Sequence, residues 1–277
     1  MNTMLNVWWM VREDTKVNAV KADSILEKFG FSGFMGDLNE RKAVRRGIDE
    51  LHNRRGKNRR VVERVRETAD SAVFGVLKMN IDENSNSAEY DQDTTVVLDK
   101  ATGTVEATGV MADVVNRKIA ENRGVYNGND LRFLFINVIR EAGGICKRPT
   151  GGVYLVPAMY ADKILSLKAA VLEMCDKGAV IYTERIYDGE EERSNAAEAV
   201  TNDLSGRVNL IVTAVSRIQK LTCRIKSHQD ALVKIEELTE MYKTILGEQV
   251  GLESLTDTLK AASAKVETIL AKTMLKA

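Results

Sequence analysis

IVTAVSRIQKLTCRI, residues 211–225, and LESLTDTLKAASAKVETI, residues 252–269, are the two stretches whose reading decides the fold. In the first, Ile211, Val215, Ile218, Thr222 and Ile225 follow one another in steps of 4-3-4-3. In the second, Leu252, Leu255, Leu259, Ala262, Val266 and Ile269 step 3-4-3-4-3. An apolar position every 3.5 residues keeps one stripe of a helix against a partner helix, which is the coiled-coil pattern. The phase slips near Leu232–Leu238, and Gly247 with Gly251 marks where a helical arm would break or reverse. As a single helix of about 50 residues the first segment would extend ~75 Å, more than a lone domain needs. Its stripe therefore requires a second helix, from the same chain or from another. The residues expected at that interface are Ile211, Val215, Ile218, Ile225, Leu252, Leu255, Leu259, Val266 and Ile269.

Working back from this arm, nothing after Glu190 reads as strand, whereas the first two-thirds mix both patterns. Met4–Arg12 is rich in strand formers, and Thr15 is placed to cap a helix over Lys16–Phe29 that Gly30 stops. Asn39–Asn53 reads as a second helix, with Ala43, Val44, Ile48 and Leu51 apolar and the arginines outside. From Arg59 to Val110 alternating and β-branched runs, parted by the ENSNS loop at 83–87, predict an antiparallel meander. A helix over Met111–Glu121, a turn at Asn127-Gly128 and a helix over Leu131–Ala142 capped by Asn129 or Asp130 come next. Two short strands flanking Pro149-Thr150-Gly151-Gly152 then form a hairpin, followed by a helix over Ala161–Cys175 and a strand over Ala179–Tyr187. The expected class is α+β, divided as 1–110, 111–188 and a helical arm, coiled coil or helical hairpin, over 189–277.

Composition excludes several classes. No run of about 18 apolar residues exists, so no membrane span is expected, and Met1–Met10 lacks the pattern of a signal peptide. Cys146, Cys175 and Cys223 are odd in number and far apart, which suits thiols in a reducing compartment. A cytoplasmic protein is expected. His52 and His228 have no Cys or His at ligand spacing, so no metal, cofactor or small-molecule substrate is inferred. A hydrolase or transferase would rest on carboxylates that no motif groups.

Formal net charge is zero, yet the charges are segregated. Between Glu40 and Arg66 eleven basic residues stand against four acidic ones, and between Glu67 and Val110 nine acids stand against Lys78 and Lys100. Neutralisation between neighbouring elements is one account of this arrangement. The other is a basic face for nucleic acid, because neutralising phosphates takes clustered cations. Its residues would be Arg41, Arg45, Arg46, Arg54, Arg55, Arg59 and Arg60, joined by Arg148 from the hairpin. Few aromatics interleave the segment, which disfavours base stacking there.

Helix, turn, helix and hairpin over 111–156 follow the order of a winged helix-turn-helix, with Arg132, Arg140, Lys147 and Arg148 as its contacts. The same span serves equally as a structural helix pair with a hairpin. Arg148-Pro-Thr-Gly-Gly152 lacks the spacing of a phosphate loop, and no helix opens after it. In a strand, Trp8 and Trp9 point to opposite faces, so at most one is expected in the core, and the other marks a contact surface or lies under a loop.

The stretch from Asp130 to Pro157, centred on RPTGGVYLVP, resembles an uncharacterised family carried by bacteriophages and other mobile elements. The plan of the chain is similar too: a tryptophan-bearing strand, a basic helical segment, a β region, the hairpin and a helical tail. The resemblance implies a mobile-element setting and transfers no catalytic residue. The reading it joins is a non-catalytic protein that oligomerises, or binds a host or phage protein, through its C-terminal helices. A DNA- or RNA-binding protein using residues 41–66, with or without 111–156, is the alternative.

Overall fold

The computed structural model describes residues 4–52, 59–82, 87–148, 151–176, 178–186, 189–218, 222–247 and 250–274. The strands are β1 (Met4–Val11), β2 (Lys16–Asn18), β3 (Arg59–Glu67), β4 (Ser71–Asp82), β5 (Ser87–Asp99), β6 (Val105–Gly109), β7 (Val125–Asn127), β8 (Ile145–Cys146), β9 (Val153–Pro157) and β10 (Ala179–Ile186). The helices are α1 (Ala19–Lys28), α2 (Glu40–Asp49), α3 (Ala112–Asn122), α4 (Gly128–Glu141), α5 (Ala161–Cys175), α6 (Glu190–Ser216), α7 (Thr222–Leu246) and α8 (Val250–Met274). Among the described residues all strand pairs are antiparallel, and the protein is α+β. It divides into two compact units, Met1–Arg12 with Phe29–Phe34 and Arg132–Ala277, and Glu13–Lys28 with Met35–Leu131. Both are discontinuous, so compactness follows different lines from the three-segment division expected above, and one boundary falls inside α4.

In the first unit, β1 lies between β9 and β10, and β8 closes the far side of β9. The strand period sends Trp9 and Trp8 to opposite faces. Trp9 stacks on Tyr154 at 5.1 Å and meets the Phe135 edge at 5.6 Å, within the layer built with α4. Trp8 stacks instead on Tyr182 of β10, its partner in the register. Val200, Leu204, Val208 and Val215 of α6 share one core with Leu232, Ile235, Tyr242 and Leu246 of α7 and with α8. Met4, Ile145 and Leu155 of the sheet belong to that core as well.

The arm is therefore not one helix of about 50 residues. The first segment is two helices of 27 and 25 residues, each roughly 40 Å long. No glycine or proline stands between the two helices in the sequence, and Val215, Ile218 and Ile225 to either side all pack on the same core. The second break, between Leu246 and Val250, falls where Gly247 and Gly251 place it.

The second unit is the expected meander, in the order β3-β4-β5-β6, with α2 and α3 on one face. Val44, Ile48, Leu51, Val76, Val96, Leu98, Val115 and Ile119 form its core. Gly47 lets the two helices close: a Cβ built there would lie 2.7 Å from the backbone nitrogen of Ile119. Two caps differ from expectation. Residues 16–18 are strand, drawn off by pairing with β7, and Asn18 rather than Thr15 accepts from the Lys21 N–H to open α1. At α4, Asn127 accepts from the N–H groups of Asn129 and Asp130, while Asp130 accepts from that of Asn127. That reciprocal pair is a capping box with Asn127 as the cap, in place of a cap at 129 or 130.

Candidate functional site

The seam residues are accounted for within the chain. Val215, Ile225, Leu252, Leu255, Leu259 and Val266 are buried, and Ile211, Ile218 and Ile269 pack half-buried on the same core. The stripe that needed a second helix has found two in cis. Its role in this structure is to close the three-helix layer.

Beside the seam, and sharing Ile211 with it, the same helices leave a groove of about 820 Å³, walled by α6, α7 and the end of α4. Its apolar wall includes Leu210, Ile211, Leu238 and Met241. Leu210 is 72% exposed, a heavy exposure for a leucine set among other apolar groups. Arg140, Arg207 and Lys234 stand at the rim with Glu141 and Glu237. Asp203 holds Arg207 at 2.5 Å, and Lys163 holds Glu141 at 2.6 Å. The uncommitted balance of the rim is cationic.

The basic segment is largely bound to carboxylates. Arg46 makes two 2.6 Å bonds to Asp130 and one of 3.0 Å to the Val125 carbonyl. The side chains of this pair are 13% and 6% exposed, so Arg46 lies inside the unit rather than on the outer helix face expected for it. Lys42 lies 2.8 Å from Asp130, and Arg60 pairs with Asp93 at 3.2 Å. Glu67 gathers three cations: Lys100 at 2.8 Å, Arg41 at 3.9 Å, and Arg64 in close contact. The Lys100 bond and the charges of Arg64 and Lys100 hold the Glu67 carboxyl below its usual range. Arg41, Lys42, Arg45 and Arg64 line a cleft of about 600 Å³ whose floor includes Val62, Phe74 and Leu98, with Asp49 and Glu67 as its carboxylates. Arg59 is half-buried and has its own contacts. Arg54 and Arg55 lie outside the described residues.

The helix-helix-hairpin order is present, but Arg132 is turned inward, donating to the Val11 carbonyl at 3.1 Å. Arg140 belongs to the groove, whereas Lys147 and Arg148 are exposed beside the Trp8 face. Pro149 and Thr150 lie outside the described residues. His52 accepts from the Val62 N–H at 3.3 Å. Among the described residues no three His, Cys, Asp or Glu side chains gather to hold a metal, and no helix is long and apolar enough to cross a membrane. Sequence reasoning missed the groove, because its residues come from three separated helices and interrupt no periodicity.

No curated protein and no solved structure matches the chain. A family match covers residues 6–275, nearly the whole length. By that match, the chain belongs to the family of unknown function DUF6744.

Proposed function

We propose that this is a non-catalytic binding protein that takes an acidic amphipathic helix of a partner protein into the groove between α4, α6 and α7. The observation that carries this reading is an apolar wall of exposed Leu210 and half-buried Ile211, Leu238 and Met241 under a cationic rim. Helix-in-groove recognition needs an apolar trough for anchors spaced along one helix face, with rim charges to set orientation. Arg140 and Lys234 supply those charges for acidic flanks. The filled seam argues for a groove partner over self-association through the seam. In the mobile-element setting that the hairpin resemblance implies, the partner is a host or phage protein.

A photo-crosslinking residue at Leu210 in the full chain tests this. The expected product is a covalent adduct to an acidic amphipathic segment, lost when Met241→Glu is added. A crosslink between two copies of the chain, or an adduct indifferent to Met241→Glu, overturns it.

The cleft around Glu67 supports a second reading, capture of nucleic-acid phosphates by Arg41, Arg45 and Arg64. Reversing those three arginines to Glu should abolish salt-dependent retardation of DNA or RNA. Unchanged retardation removes this reading.

A further inference from the structure

Two sequence features that the groove does not use, Trp8 of the tryptophan doublet and the basic residues of the hairpin, converge on one face of the first unit's sheet. Trp8 and Tyr182 stack there with ring centroids 5.5 Å apart and planes 14° from parallel. Trp9 packs on Phe135 and Tyr154 at the opposite face, while Trp8 is half-buried beside Tyr182. Tyr182 stands on β10, the edge strand, and is 39% exposed. Beside Trp8 lies a depression of about 280 Å³, and a second of about 210 Å³, toward α6, shares Asn6, Lys147 and Glu184 with it. Arg148 borders the larger one. Asn6 donates to Glu184 at 3.3 Å and accepts from Lys147 at 3.5 Å, so amide, carboxylate and ammonium form one hydrogen-bonded row. Lys147 and Arg148 are both exposed.

We infer that this face binds a short single-stranded segment of nucleic acid, with a base stacked on the Trp8–Tyr182 pair and phosphates on Lys147 and Arg148. An aromatic face set beside cations is the arrangement that grips unpaired strands, because every base offers a π surface and every linkage a charge. A duplex keeps its base faces stacked inside and would leave the rings unused. An acidic peptide would meet the cations and leave the rings idle as well. Asn6 adds a side-chain amide, able to donate to or accept from a base edge.

The test uses the full-length protein, whose only two tryptophans are Trp8 and Trp9, so its indole emission reports this sheet. Oligothymidylate, a duplex of equal length and polyglutamate are titrated at low and high salt. The expected result is quenching by oligothymidylate, weakened by salt and far weaker with the other two. Tyr182→Ala should loosen binding about tenfold. Lys147→Glu with Arg148→Glu should flatten the salt dependence by about two phosphate contacts. Lys260→Glu with Lys265→Glu, two exposed lysines of α8, should leave the quench unchanged. Absence of quenching, equal binding of duplex or polyglutamate, or loss of the signal on reversing Lys260 and Lys265 overturns the inference. So does wild-type affinity in the Lys147/Arg148 double variant, which alters exposed side chains and decides the matter even should Tyr182→Ala fail to fold.

Discussion

The Tyr242 hydroxyl, carried by α7, donates to the carbonyl oxygen of Gly143 at 2.8 Å and lies 3.4 Å from that of Leu155. From α6, Arg207 donates to the next carbonyl, Gly144, at 3.3 Å. The glycine turn that ends α4 is thus gripped by two helices, and this joins the helical layer to the sheet and α4. Tyr242 is wholly buried, and burial pushes its hydroxyl pKa well above the ordinary value, so it remains a donor. Tyr242→Phe keeps the ring and removes the donor, leaving a carbonyl buried without that bond. The expected loss is about 1–2 kcal/mol of unfolding free energy, read as a lower urea midpoint at unchanged slope. An unshifted midpoint would mean the bond contributes nothing.

Two glycines in helices should respond to alanine with opposite signs. At Gly47 the new methyl would meet Ile119 backbone atoms at 2.7 and 2.8 Å, and backbone cannot step aside without parting α2 from α3. A cost of about 1–3 kcal/mol is expected, the usual range for overpacking. Gly206, in α6, has nothing within 4 Å of the same methyl. There alanine removes only the entropic cost of glycine, so Gly206→Ala should stabilise by roughly 0.5–1 kcal/mol. Thermal melts of the two variants beside wild type check both. A stabilised Gly47→Ala would show that the helices are not in tight contact.

Much of this was legible because local patterns carried it. The β-branched runs at 59–110 could only bury one face as a meander, and the hairpin at 145–157 was written in its Pro/Gly turn. What stayed illegible depends on contacts distant in the chain. Residues 16–18 carry no strand signal of their own and become strand because Val125–Asn127 pairs with them. Arg46 reads as a surface cation until Asp130, 84 residues on, is brought against it. The 3.5-residue stripe correctly demanded a partner helix, but its period says nothing about which chain supplies one. Trp8 and Tyr182 illustrate the same limit at a surface, since only the β1–β10 register makes them neighbours.

Acid should loosen the second unit, through Glu50. Burial alone would raise this carboxyl, but hydrogen bonds from Asn122, Lys16 and Lys118 outweigh it and hold it below its ordinary 4.5. Those partners sit on α3 and β2, at 2.9 Å for Asn122, 3.0 Å for Lys16 and 3.2 Å for Lys118. Glu67 is lowered by Lys100 and Arg64, and Asp99 by the N–H groups of Thr102 and Ala101. A carboxyl depressed in the folded state takes up its proton more readily when unfolded. The stability it contributes is therefore present above the unfolded value and disappears as pH drops through the folded one. The melting temperature should fall as pH is lowered from about 5 to 3, and Glu50→Gln should be less stable at neutral pH and less sensitive to acid. Residue-resolved hydrogen exchange should show α2, α3 and β2 losing protection in that window. A melting temperature flat with pH, or an acid response identical in Glu50→Gln, would mean the Lys16–Glu50–Lys118 cluster does not couple protons to folding.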